Sequence, residues 1–147
     1  MINDWSNRPE NVAILSHKSL YVTSETDAWK ISSDGEQINS TVTPALQSNQ
    51  EEGDTKVFLC AAFVAELGYE NVQIITVDSD IGILALYYQK LITANLILEI
   101  GTGSNTQIFD ISTHTFGKDL TDTLPALHAI SGCDSTSCFN GAGKVIK

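Results

Sequence analysis

The residues with the clearest chemical potential are Asp78-Ser79-Asp80, which interrupt the apolar stretch "VQIITVDSDIGILAL" from Val72 to Leu86. If Val72–Val77 is a strand, its period of two puts both carboxylates on one side of the strand's C-terminal end. Ligands of open α/β sheets gather at such ends. Two carboxylates held close repel each other, and a hard cation such as Mg²⁺ relieves that repulsion by taking oxygen ligands. The competing explanation is local. Asp and Ser are turn formers, and Asp80 could cap the helix that follows. From the triplet alone both explanations stay open.

Two further clusters carry possible chemistry. Glu51, Glu52 and Asp54 fall at the start of a helical pattern, where acids favour the helix dipole whether or not they bind anything. "SGCDSTSCFNGAGKVIK", Ser131 to Lys147, holds Asp134, the hydroxyls Ser135, Thr136 and Ser137, and the pair Gly141 and Gly143 followed by Lys144. Glycines let a backbone approach a phosphate, and a lysine adds charge. The pattern is a short GxGK; it is not a P-loop, because Val145 stands where Ser or Thr is required. His17, His114 and His128 are far apart and none sits in a metal-ligand spacing.

The elements that must position these groups can be read from the periodicity. "SLYVTS" (19–24) and "AWKISS" (28–33) read as a small hairpin closed by Asp34-Gly35, and the polar run from Glu36 to Gln50 as a loop. Val57, Ala61 and Val64, with Phe58, Ala62 and Ala65, follow helical spacing up to a stop at Gly68. Val72–Val77 is a β-branched run of the kind buried on both faces in parallel sheets. "IGILALYYQK" reads as a helix. "NLILEI" and "QIFDI" read as a hairpin around "GTGSNT". "DLTDTLPALHAISG" reads as a helix interrupted near Pro125. Helix, strand, helix and further strands imply an α/β sandwich.

Bulk composition sets outer limits. The chain has 147 residues, the length of one domain, here 1–49 as an N-terminal hairpin and loop and 50–147 as a core holding the acids. No apolar run approaches the roughly 20 residues of a membrane span. Cys60, Cys133 and Cys138 form no CxxC pair and read as reduced thiols of an intracellular protein. The formal charge of −10 opposes nucleic-acid binding by bulk attraction and suits a carboxylate nest for divalent cations.

Together the three clusters resemble a family pattern. "EEGDT" resembles the acidic helix start of the flap-endonuclease and XPG-type nucleases of the PIN-like superfamily; "VDSD" resembles their D-x-D after a central strand; "GCDSTS" with "GAGK" resembles their Gly-Cys-Asp segment leading into a DNA-gripping loop. The likeness is greater to a set of transposon-associated animal proteins, through Leu20–Thr23, Gln47–Thr55, Asp78–Asp80, Phe109–Ile111 and Ala126–Lys144. The resemblance implies a Rossmann-like three-layer sandwich with a central, mostly parallel sheet. It implies that Glu52, Asp54, Asp78, Asp80 and Asp134 hold two Mg²⁺ or Mn²⁺ ions and hydrolyse phosphodiester bonds in DNA. It further implies that Ser135, Thr136, Gly141, Gly143 and Lys144 contact the nucleic acid, that no small-molecule cofactor or membrane is involved, and that the protein is nuclear.

Two departures qualify that pattern. Gly53 replaces an alanine between the acids, and nothing before Ser19 matches the family's opening aspartate on its first strand; Asp4 and Asp27 fit poorly. The resemblance therefore covers the C-terminal half of such a domain, truncated at the N-terminus. A metal-dependent nuclease and a non-catalytic remnant that binds nucleic acid or protein are both compatible with it. A haloacid-dehalogenase-type phosphatase built on "DSD" fits less well, because Gly82 stands where that family has Thr or Val.

Overall fold

The computed structural model describes Trp5 and residues 8–49, 53–113 and 117–131. The chain divides into two compact units, Met1–Glu51 and Glu52–Lys147. Each is α/β or β-rich on a scale of three strands.

In the first unit, a short helix α1 (Pro9–Ile14) precedes strands β1 (Ser19–Ser24), β2 (Asp27–Ser33) and β3 (Ile38–Val42). Pro9 opens α1 at a position where its missing N–H costs nothing. β1 and β2 pair antiparallel from Ser19–Ser32 to Ser24–Asp27, and β2 pairs antiparallel with β3 from Trp29–Val42 to Ser33–Ile38. The expected hairpin is present. The expected loop after it is not: residues 38–42 form a third strand. Its side chains are almost all exposed, so it carries no apolar alternation, and its β-forming signal is limited to Ile38, Thr41 and Val42. Leu15, Ala28, Ile31 and Leu46 are buried in this unit.

The β2–β3 turn is built on Asp34. Its Oδ1 accepts from the backbone N–H groups of Gln37 (2.9 Å) and Glu36 (3.0 Å), and its Oδ2 accepts from Asn39 Nδ2 (3.0 Å). The Gln37 and Glu36 amides, with Asn39, lower the Asp34 carboxyl from the usual 3.8 to about 2.

In the second unit, α2 (Gly53–Glu66) ends as the spacing predicts. Gly68 takes φ +91° and donates to Ala65 O at 2.9 Å. Next come β4 (Asn71–Thr76), α3 (Asp80–Tyr88), β5 (Asn95–Ile100), β6 (Gln107–Asp110) and α4 (Lys118–Ser131). β4 pairs parallel with β5 from Asn71–Asn95 to Thr76–Ile100, so α3 is the crossover that parallel pairing demands. β5 and β6 form the expected hairpin, antiparallel from Ile97–Asp110 to Ile100–Gln107. α4 runs continuously over 118–131 with Pro125 inside, rather than breaking there. Lacking an N–H, Pro125 cannot donate to the carbonyl four residues back.

The core is one cluster on one face of this sheet. Phe58 and Ala61 of α2 and Ile81, Leu84 and Ala85 of α3 pack on Val72, Ile74, Leu96 and Leu98. Phe58 stacks on Tyr88 with ring centroids 4.8 Å apart, which fixes α2 against α3. α4 packs on α3, where Lys90 pairs with Asp122 and sits 4.2 Å over the Tyr87 ring.

Two expectations are corrected here. The Val72–Val77 run is not buried on both faces: Val72 and Ile74 are buried, whereas Ile75 in β4 and Val77 just beyond it are 69 % and 74 % exposed. The sheet, order β4-β5-β6, contains one parallel and one antiparallel pair rather than a mostly parallel centre. The short connection between β5 and β6 is the reason, since it can only return the chain antiparallel.

Two predictions follow from these turns. Asp34 has a depressed carboxyl, so its stabilisation is complete above pH 4, the unfolded range, and is lost as pH falls toward 2. Carboxyl NMR should place its midpoint near 2, and Asp34→Asn should flatten acid unfolding of the first unit across that window; a midpoint near 4 would refute the turn. Gly101 has φ +114°, and a Cβ there would lie 2.6 Å from Asn105 O. Gly101→Ala should therefore destabilise the second unit by about 2 kcal/mol or more in chemical denaturation.

Candidate metal centre

The acids lie where β4 gives way to α3. β4 stops at Thr76, and Asp78 and Asp80 fall beyond the strand, so strand periodicity does not place them; a turn does. Thr76 Oγ1 accepts from the Asp78 N–H at 3.0 Å. Asp78 Oδ1 accepts from the Asp80 N–H at 2.8 Å. Gly82 N–H then donates to Ser79 O at 3.0 Å, closing the first turn of α3. The capping carboxylate is thus Asp78, not Asp80. Ser79 occupies the formal cap position, yet its side chain makes no cap bond. Both acids are half-buried.

Asp54 stands in the first turn of α2, also half-buried. Helix α2 has 14 residues, about 21 Å at 1.5 Å per residue, and β4 has 6, about 20 Å. A helix joined to the start of β4 and matched to it in length returns its first turn to the end where β4 stops. Length and connectivity alone thus put the start of α2, with Asp54, toward the end of the unit at which Asp78 and Asp80 follow β4. Among the described residues, however, no three His, Cys, Asp or Glu side chains converge closely enough to hold a metal.

Glu52, Asp134, Ser135, Thr136, Gly141, Gly143 and Lys144 lie outside the described residues. The structure thus places three of the five acids and brings Asp78 and Asp80 into one turn. The donor chemistry fits a hard divalent cation, since carboxylate oxygens are its preferred ligands. Cys60 on α2 is not poised as a nucleophile: desolvation pushes its thiol up, against a smaller downward pull from Lys56.

Three site-building residues were not legible as such. Thr76 holds Asp78 through its hydroxyl, and a Thr two residues before an Asp was the available signal. Gly101 N–H donates to Thr76 O at 3.0 Å, tying the ends of β5 and β4 together just before the acids. Gly82, in the first turn of α3, borders an apolar cavity of about 310 Å³ shared by Ile83, Leu98, Ile100 and Phe109, with Ser79 also in its wall. A Cβ at Gly82 would meet only the Ile100 and Leu98 methyls at 3.6 Å, ordinary contact.

No protein-family model, no curated protein and no solved structure matches the chain. Among the described residues no helix is long and apolar enough to cross a membrane.

The capping role can be measured apart from any metal. Asp78→Ala should cost about 1 kcal/mol in metal-free denaturation, the usual value of a lost helix cap. Asp78→Asn keeps an acceptor oxygen and should cost a few tenths at most. Equal losses in both variants would show that the charge, rather than the Asp80 hydrogen bond, is what stabilises the turn.

Proposed function

We propose that this chain carries a PIN-like nuclease-type site that holds Mg²⁺ or Mn²⁺ between carboxylates and hydrolyses phosphodiester bonds in DNA. The observation that supports the reading is the position of Asp78 and Asp80 in one turn at the exit of the parallel strand β4. The family resemblance of "EEGDT", "VDSD" and "GCDSTS" adds Glu52 and Asp134 to that set.

In this reading, divalent cations would supply charge neutralisation at the leaving oxygen and lower the cost of water attack on phosphorus. The chain's own residues have separable tasks. Thr76 and the Asp80 N–H orient Asp78, and the Phe58–Tyr88 stack holds α2 against α3. The glycine pair Gly141 and Gly143 with Lys144 would receive the strand's phosphates. Work on DNA would put the protein in the nucleus.

A second reading has its own support. Asp78 Oδ1 is already bonded to the Asp80 N–H, and the three described acids do not converge. Those features suit a non-catalytic PIN-like remnant that binds nucleic acid or protein.

Mn²⁺ titration followed by thermal melting tests the metal. A ligand that binds only the folded state raises stability by about 2.7 kcal/mol at 100 times its Kd. The parent should gain in Tm, and Asp78→Asn, whose metal-free stability is close to the parent's, should not. Labelled flap and hairpin DNA in Mn²⁺ then separate the readings. Cleavage by the parent and not by Asp78→Asn supports the nuclease; binding without cleavage supports the remnant. No Mn²⁺ shift in the parent would end the metal reading.

A further inference from the structure

We propose that the cavity beside the acids is a nucleobase pocket, occupied by a base of the strand whose phosphate is held at Asp78 and Asp80. The proposal rests on the metal-site reading above and names what that site recognises besides phosphate.

Three observations carry it. First, the cavity adjoins the turn of the acids: Ser79, between Asp78 and Asp80 in sequence, is part of the cavity wall. A phosphodiester held at the acids therefore has its own nucleoside within reach of the opening. Second, the chemistry selects a flat neutral group. Among the described residues the wall, which includes Gly82, Ile83, Leu86, Leu98, Ile100 and the ring of Phe109, holds no charged side chain, and about 310 Å³ is the size of a small ligand site. Carboxylates at one end disfavour a bare anion, so an apolar ring attached to a metal-bridged phosphate suits both halves. Every base presents a π-face, so an aromatic wall takes bases with little sequence preference.

Third, Gly82 has no packing reason to be glycine. Glycine in a helix is less favourable than alanine, and a methyl there would meet neighbours at an ordinary 3.6 Å. A residue that gives up helix stability without steric need is expected where function uses the space. The space here is the cavity that its missing side chain keeps open.

Full-length protein in Mn²⁺ is titrated with oligothymidylate and with an abasic strand of equal length and charge. The parent should bind the base-bearing strand about tenfold or more tightly. Gly82→Met should bring that ratio close to one by weakening the base-bearing strand more than the abasic one. Asp78→Asn should weaken both strands together. Gly82→Ala serves as the folding control and should raise Tm by about 4 °C, with a partial loss of the ratio. Equal binding of the two strands by the parent, or an unaltered ratio in Gly82→Met, would overturn the pocket while leaving the metal reading intact.

If neither strand binds in Mn²⁺, the metal reading fails and the cavity is judged separately. Uncharged thymidine and adenosine, added without metal to ¹⁵N-labelled protein, should shift the amides of Gly82, Ile83, Ile100 and Phe109. Shifts with N-acetyl-leucine amide but none with either nucleoside would assign the cavity to an apolar peptide side chain and refute the proposal.

Discussion

Everything around the acids depends on the parallel pairing of β4 with β5. Six consecutive Cα partners, Asn71–Asn95 to Thr76–Ile100, hold the two strands in register. Parallel strands cannot be joined by a tight turn, so the chain must leave β4, cross over the sheet and return. Helix α3 is that crossover, and its start must sit where β4 ends. The same pairing brings the end of β5 alongside, where Gly101 N–H closes on Thr76 O. The turn holding Asp78 and Asp80 is thus fixed on one side by a strand ladder and on the other by a buried helix. Ile81, Leu84 and Ala85, clustered with the sheet's Leu96 and Leu98, anchor that helix within two turns of the acids. Two carboxylates at a seam between apolar segments are a consequence of this crossover geometry before they are anything else.

Capping and cation binding are not exclusive uses of Asp78. A carboxylate offers two oxygens and about four lone-pair sites, and the hydrogen bond to the Asp80 N–H involves Oδ1. The bond also locks the side chain's direction, which a preorganised ligand needs. The conflict lies in charge. The start of α3 carries the positive end of the helix dipole, which favours the carboxylate and opposes a cation beside it. Additional carboxylates offset that opposition, and this is the physical reason a single D-x-D turn is insufficient.

Local chemistry was readable, and relations between distant segments were not. Gly68 as a stop, the β1–β2 and β5–β6 hairpins, and the α2 and α3 helices follow from spacing and turn residues within a few positions. β3 was missed because "INSTV" exposes nearly every side chain and so shows no period. The run "VQIITV" looked doubly buried because β-branched residues report strand preference, not cover; Ile75 and Val77 face outward all the same. Pro125 looked like a break because its cost is local, whereas α4 is held by its packing on α3. At the site, the identities of the acids were visible, but the assignment of the cap was not. Choosing Asp78 over Asp80 requires knowing that the strand stops at Thr76, a boundary that sequence places only to within a few residues.

The acidic composition turns from an objection into a constraint once the site is considered with its cations. At −10, the chain's overall field repels a polyanion, so attraction cannot come from a general basic surface. It has to be local, and in the nuclease reading it is supplied by divalent ions bridging carboxylate and phosphate. Metal and nucleic acid then bind as linked partners: whatever factor the metal adds to DNA affinity, DNA must add to metal affinity.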